Sequence, residues 1–319
     1  MKKNMNKNYF EVLRPGINST FQDNGRNNFY HIGIPFSGAM DNRNFLLANT
    51  ISNNEINNPV LEFAYQGPKL KYIGENISIN VTGDVNFKII RKNKNLEFSC
   101  YENIVLENND CLDILSTNRS VYGYLSIGGT FEVDYYLNSC STNTKAKIGA
   151  NSGEKLEKGQ IIHLKNIKKI LPKNKIEYLN SKIENIRIIK GPHFDYFSKD
   201  AIDSFFSDEF NVTKLSDRMG IRLKGPKISN IKNTNIKSEG LVKGVIQITA
   251  DGDPIIMLSD HGTIGGYPKI GVVISADYDK LVQIPPGSKI KFKEINLKDA
   301  ETLFKLYEME TQNLISNIK

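Results

Sequence analysis

"VIQITADGDPIIMLSDHGTIGGYPKIGVVISAD", residues 245–277, holds three apolar runs divided by turn signals. "VIQITA" runs into Asp251-Gly252, "PIIML" follows, and "GVVIS" comes after a second turn carrying Gly265, Gly266 and Pro268. Short runs rich in Ile and Val, bounded by Gly, Asp and Pro, read as strands. The pattern extends outward in both directions through "FEVL", "KLKYI", "ISINVTG", "FKIIR", "LDIL", "VYGYLSI", "IIHL", "IRIIK", "IRLKG" and "KIKFKEI". So many strands with turn punctuation predict a mostly β protein built of barrels or sandwiches. Helices are few. Asp41 is placed to cap "NRNFLLANTIS" and Ser198 to cap "KDAIDSFF". Leu297, Ala300, Phe304, Tyr307, Leu314 and Ile318 fall near helical spacing, which predicts a C-terminal helix over 296–319.

A chain of 319 residues is long enough for two domains. Strand patterning lapses over residues 167–185, "IKKILPKNKIEYLNSKIEN", which places a boundary between domains at 8–170 and 185–295. A weak echo, "FAYQGPKLKYI" against "IRLKGPKISNI", suggests that the two share a topology.

The net charge of +7 and pI near 9.0 come from lysines scattered among acids and asparagines, with no basic stripe, which argues against nucleic acid. "MKKNMNKNYF" leads into no apolar segment, so it does not read as a secretory signal. No apolar run reaches the ~20 residues that cross a bilayer, so no membrane role is expected. Cys100, Cys111 and Cys140 lack metal-type spacing and fit reduced thiols in a cytoplasm. His31, His163, His193 and His261 are dispersed, which predicts no metal site. The phosphate loop, the dinucleotide fingerprint, the His-Glu-x-x-His helix and the serine-hydrolase elbow are all missing from the sequence.

Between Asp260 and Ile270, an acid, an imidazole, a hydroxyl, a phenol and an amine crowd around two glycines. Asp260, His261, Thr263, Tyr267 and Lys269 can exchange protons or hydrogen bonds, and glycine lets backbone N–H groups approach a ligand. A solvated turn is the plain alternative.

Six stretches, taken together, carry a resemblance: "VLRPGINSTFQDNGRNNFYHIGIPFSGAMD", "LEFAYQGPKL", "VTGD", "LSDRMGIRLKGP", "SEGLVKGVIQITADGDPIIMLSDHGTIGGYPKIGVVISAD" and "IPPGSKIKF". In this order, from Phe10 to Phe292, they resemble the biotin-dependent carboxyltransferase family of KipA, allophanate hydrolase subunit 2 and the 5-oxoprolinase C component. The resemblance implies two cyclophilin-like β-barrel domains with a few short helices. It also implies action beside a KipI-type partner, the 5-oxoprolinase B component, and a LamB/YcsF-type partner, the A component. The implied reaction is ATP-driven opening of 5-oxoproline to glutamate. An alternative is carboxyl transfer from carboxybiotin, as in urea carboxylase; another is a non-catalytic, KipA-like regulatory partner. "GAMD" is not the setting in which biotin is attached, and no fused biotin carboxylase or carrier is visible, which favours the first.

The family motifs fall on Arg14, Gln22, Asp23 and Arg26, on His31, and on Ser37 and Gly38. Further along they fall on Asp217 and Arg218, Glu239, Gln247, Asp260, Thr263, Gly265, Gly266, Tyr267 and Lys269. Arg14 and Arg26 are candidates for clamping a substrate anion, or for a structural pair with Asp23; Asp217–Arg218 is a second candidate pair. His261-Gly262 departs from the family's Arg-Gln. Backbone N–H groups at Gly265-Gly266, with Lys269, are candidates to stabilise a carbonyl gaining charge, at ~3 kcal/mol per donor. Asp260 or Glu239 would orient water or accept a proton.

Overall fold

The computed structural model describes residues 8–178, 183, 185–230, 232 and 235–318. Two compact units divide the chain: Met1–Gly25, Asn42–Asn180 and Gln312–Lys319 form the first, Arg26–Asp41 and Ser181–Thr311 the second. The segment Arg26–Asp41 thus belongs with the C-terminal half, which neither composition nor patterning indicates.

In the first unit a seven-stranded sheet runs in the order Thr130–Phe131, Ile161–Lys165, Tyr9–Arg14, Lys69–Ile73, Cys111–Thr117, Val85–Arg91, Lys94–Glu97. A five-stranded sheet runs Thr20–Gln22, Val60–Ala64, Tyr122–Ile127, Ile77–Thr82, Ile104–Leu106. Phe10, Leu70, Ile89 and Leu112 of the former share one core with Phe63, Ile79, Leu106 and Leu125 of the latter. Strands of the second sheet are buried on both faces because the helix Asn42–Ile51 covers the side away from the core. Where Asn80 points at that helix, it donates to the Ala48 carbonyl at 3.0 Å and to Ser52 Oγ at 2.7 Å, which offsets its burial.

The second unit is a closed barrel of Asn185–Lys190, Lys269–Val273, Val245–Ile248, Pro254–Met257, Gly220–Lys224, Phe210–Val212 and Lys289–Glu294. Parallel pairing of Asn185–Lys190 with Lys289–Glu294 closes it, and closure removes free strand edges. Alternation in "KIKFKE" sends Ile290 and Phe292 inward and the lysines out. The helix Lys199–Ser207, capped by Ser198 Oγ on the Ala201 N–H, stacks Phe205 on Phe292 at 4.5 Å.

The mostly β character, the scarcity of helices and the C-terminal helix, Leu297–Ser316, agree with expectation. Its packed face agrees in part: Ala300, Tyr307, Leu314 and Ile318 pack as the spacing predicts, whereas Leu297 and Phe304 are exposed and Leu303 and Thr311 turn inward instead. Thr311 tolerates burial by donating from Oγ1 to the Tyr307 carbonyl, a satisfaction that hydrophobic spacing does not register. The lysine-rich stretch after 167 is not a bare linker either, since Ile176 is buried against Leu47, Ile51 and Tyr101. After Gly67-Pro68 a strand follows at once, but none follows Gly225-Pro226, so the echo between the halves stops at the turn. No helix among the described residues is long and apolar enough to cross a membrane.

Candidate active site

Lys269 opens a central barrel strand, and a register shift after Ile246 sets it opposite Gln247. That position buries it: Lys269 is 4% exposed, not a surface lysine. Its Nζ donates to Glu239 Oε2 at 2.9 Å. Glu239 stands on a two-stranded ribbon, Glu239–Gly240 against Ile264–Gly265, directly opposite Gly265, with 48% of its side chain exposed. The Lys269 hydrogen bond, and then the Lys269 charge, hold the Glu239 carboxyl below its usual range.

His193 completes the cluster, and sequence reading set it aside as one of four scattered histidines. Its Nδ1 faces the Lys269 backbone N–H at 3.3 Å and its Nε2 lies 3.6 Å from Glu239 Oε2. The His193 N–H donates in turn to the Lys269 carbonyl at 3.2 Å, so backbone pairing as well as the ring fixes the contact. Its only sequence signal is "KGPH" at the exit of a barrel strand.

Beneath the ribbon, Gln247 Nε2 donates to the Tyr267 carbonyl at 3.0 Å. A Cβ on Gly265 would lie 2.8 Å from that same nitrogen, so a larger residue here would have to displace the end of the Gln247 side chain. Gly266 accepts from the Ile236 N–H, and Thr263 accepts from the Leu241 N–H.

A second cluster of the same unit is built on Arg218. Its Nε and Nη2 donate to the two oxygens of Asp260 at 2.8 and 3.1 Å, and Nη2 also donates to the Gly38 carbonyl at 2.7 Å. Asp217 is not the partner of Arg218: it caps its own turn, accepting from the Met219 and Gly220 N–H groups. Ser37 and Gly38 both adopt left-handed backbone, φ 58° and 87°, and the buried Ser37 donates its N–H to the Ser259 carbonyl. His261 is buried against Tyr30 in an edge-on contact at 5.9 Å, with its Nδ1 donating to the Gly262 carbonyl. Burial lowers the His261 pKa below the ordinary imidazole value and raises that of Tyr30 to about 12. His31 lies on the exposed single turn Tyr30–Ile32.

The family model described as "Carboxyltransferase domain, subdomain A and B" matches residues 32–294, spanning both units. The chain belongs to this carboxyltransferase-domain family. Among relatives of this chain is the 5-oxoprolinase C component of Escherichia coli (strain K12), 28% identical over 300 residues, covering 91% of this chain and 92% of that protein. The urea amidolyase of Lachancea kluyveri is 30% identical over 325 residues, covering 92% of this chain but 17% of that protein. The crystal structure of the Kluyveromyces lactis urea carboxylase superposes with a TM-score of 0.86 at 29% identity, covering 96% of this chain and 29% of that one. The chain therefore spans nearly all of the first relative and under a third of the other two.

The remaining motif residues of the chain are held in tight internal networks. Arg14 pairs with Asp113 Oδ1 at 3.0 Å and donates to the Gly67 and Ile114 carbonyls, so its partner is not Asp23. Asp23 is fully buried and accepts from Ser139 Oγ, Ser141 Oγ and the Cys140 and Gly25 N–H groups. Gln22 donates to Thr20 Oγ1 and to the Thr142 carbonyl. These three lie in the first unit. Arg26, also buried, donates its N–H to the Phe36 carbonyl within the second.

Proposed function

We propose that the chain is the C component of an ATP-dependent 5-oxoprolinase, which converts 5-oxoproline, ATP and water to glutamate together with KipI-type and LamB/YcsF-type subunits in the cytoplasm. One observation carries the site: a withdrawn ammonium, Lys269, bonded to a half-exposed carboxylate, Glu239, beside a glycine turn. Attack on a lactam carbonyl moves negative charge onto its oxygen. Lys269 and the backbone donors of Gly265-Gly266 would stabilise that charge, at ~3 kcal/mol per well-aimed donor. Glu239, kept ionised by its neighbours, would accept a proton from the attacking water. Asp260 acts through Arg218, which it orients on the Gly38 carbonyl.

Near full-length similarity to a 5-oxoprolinase C component supports this substrate class. Gly265-Gly266 leads into the strand Lys269–Val273 rather than a helix, so the turn lacks the helix N-terminus that commonly receives a phosphate, which favours a nucleotide site elsewhere. We therefore assign the nucleotide to another subunit.

A second reading is favoured by the likeness to urea amidolyase and urea carboxylase: carboxyl transfer to an amide nitrogen, with carboxybiotin delivered by other domains. The two are separated by mixing the purified chain with candidate subunits, ATP and either 5-oxoproline or urea. Glutamate formed only with all subunits present supports the first, and carboxylated urea formed with a biotin carrier supports the second. Assembly without turnover of either substrate would leave a regulatory, KipA-like role.

A further inference from the structure

The backbone N–H of Lys269 can only donate, so His193 Nδ1, 3.3 Å away, must accept, and the neutral ring then carries its proton on Nε2. Nε2 lies 3.6 Å from Glu239 Oε2, the same oxygen that receives Lys269 Nζ, an electrostatic approach longer than a hydrogen bond. His193 is 7% exposed and wedged edge-on against Tyr196 at 4.8 Å. We propose that His193 is the positioning residue of the Lys269–Glu239 pair, holding the Lys269 backbone in place through Nδ1 and facing the carboxylate with Nε2.

This role rests on the reaction site proposed above, and it has a consequence that simple packing does not. Protonating His193 adds a second N–H at Nδ1, which faces the Lys269 N–H donor to donor and breaks that contact. The imidazolium also competes with Lys269 for Glu239. Other charged or titratable groups around the ring are Tyr196 and Asp195 on its own turn and Lys232, which bonds Asp195 at 2.7 Å and lies over the Tyr196 ring.

Two measurements test this separately from the choice of substrate. Nitrogen-15 NMR of the full chain, with its four histidines labelled, should show His193, identified by its loss in His193→Gln, as the Nε2–H form. Its Nε2 resonance should move when Glu239→Gln is introduced; an Nδ1–H ring, or an Nε2 resonance indifferent to Glu239, overturns the proposal whatever the substrate. In the assembled enzyme, His193→Phe should lower kcat by about tenfold or more with little change in KM, a loss on the scale of one hydrogen bond. His193→Gln, which keeps a polar side chain at this position, should recover part of that rate. Wild-type kcat in a folded His193→Phe enzyme would also overturn it.

Discussion

Arg218 holds both carboxylate oxygens of Asp260 while reaching the Gly38 carbonyl, and the pair is nearly dry, with 11% and 3% of the side chains exposed. A carboxylate committed in this way is a frame for the loop at residues 259–266 rather than a free base. Glu239, exposed and bonded to a single ammonium, is better placed to meet substrate.

Removing one member of the Arg218–Asp260 pair strands the other charge in the interior. Asp260→Asn should cost about 3 kcal/mol of stability, and Arg218→Met combined with Asp260→Leu should restore part of it, because both charges are then gone. Chemical denaturation of the two variants checks this. Equal stability of Asp260→Asn and wild type would mean that the pair contributes nothing to the fold.

His261 gives a stability dependence on pH. Desolvation lowers its pKa in the folded chain, with the charge of Lys243 acting in the same direction. The unfolded chain therefore binds the proton first, at about pH 6.5. The stabilisation is fully present above that pH and is lost as pH falls through the lowered folded value. Thermal midpoints should decline between about pH 7 and 5, and His261→Gln should flatten this slope; the same slope in both proteins would assign it to other groups.

Gly265→Ala should disturb the ribbon directly. Its Cβ would meet Gln247 Nε2 at 2.8 Å and Leu241 Cδ1 at 2.9 Å, so the ends of both side chains must shift, and the Gln247 bond to the Tyr267 carbonyl is the contact expected to weaken. Overpacking of this kind costs roughly 1–3 kcal/mol. Turnover should drop with it, as the Glu239 strand moves away from Lys269. A variant with wild-type thermal midpoint and rate would show that the ribbon yields freely.

Much of this was legible in the chain itself. Period-two alternation marks "KIKFKE" as a half-buried strand, and turn residues mark the ends of most others, so the β character follows from local chemistry. Glu239 and Lys269 stood out as motif residues, but their bond did not, since it spans 30 positions and depends on the ribbon register. Arg14 finds Asp113 across 99 positions, whereas the nearer Asp23 satisfies itself on Ser139, Cys140 and Ser141. The inclusion of Arg26–Asp41 in the second unit was illegible for a similar reason: Ser37 and Gly38 are held by Ser259 and Arg218, through backbone atoms that every residue type carries. His193 escaped because its role comes from Nδ1 meeting a backbone N–H, which leaves no trace in spacing.

Under the proposed function, the Lys269 ammonium stabilises charge on a lactam carbonyl. Lys269→Met tests it most directly, because methionine keeps the buried stem and removes only the charge. In the enzyme assembled with its other subunits, ATP-dependent glutamate release from 5-oxoproline should fall by about 100-fold or more, with subunit assembly and thermal midpoint nearly unchanged. Glutamate release at the wild-type rate from that variant would contradict the account.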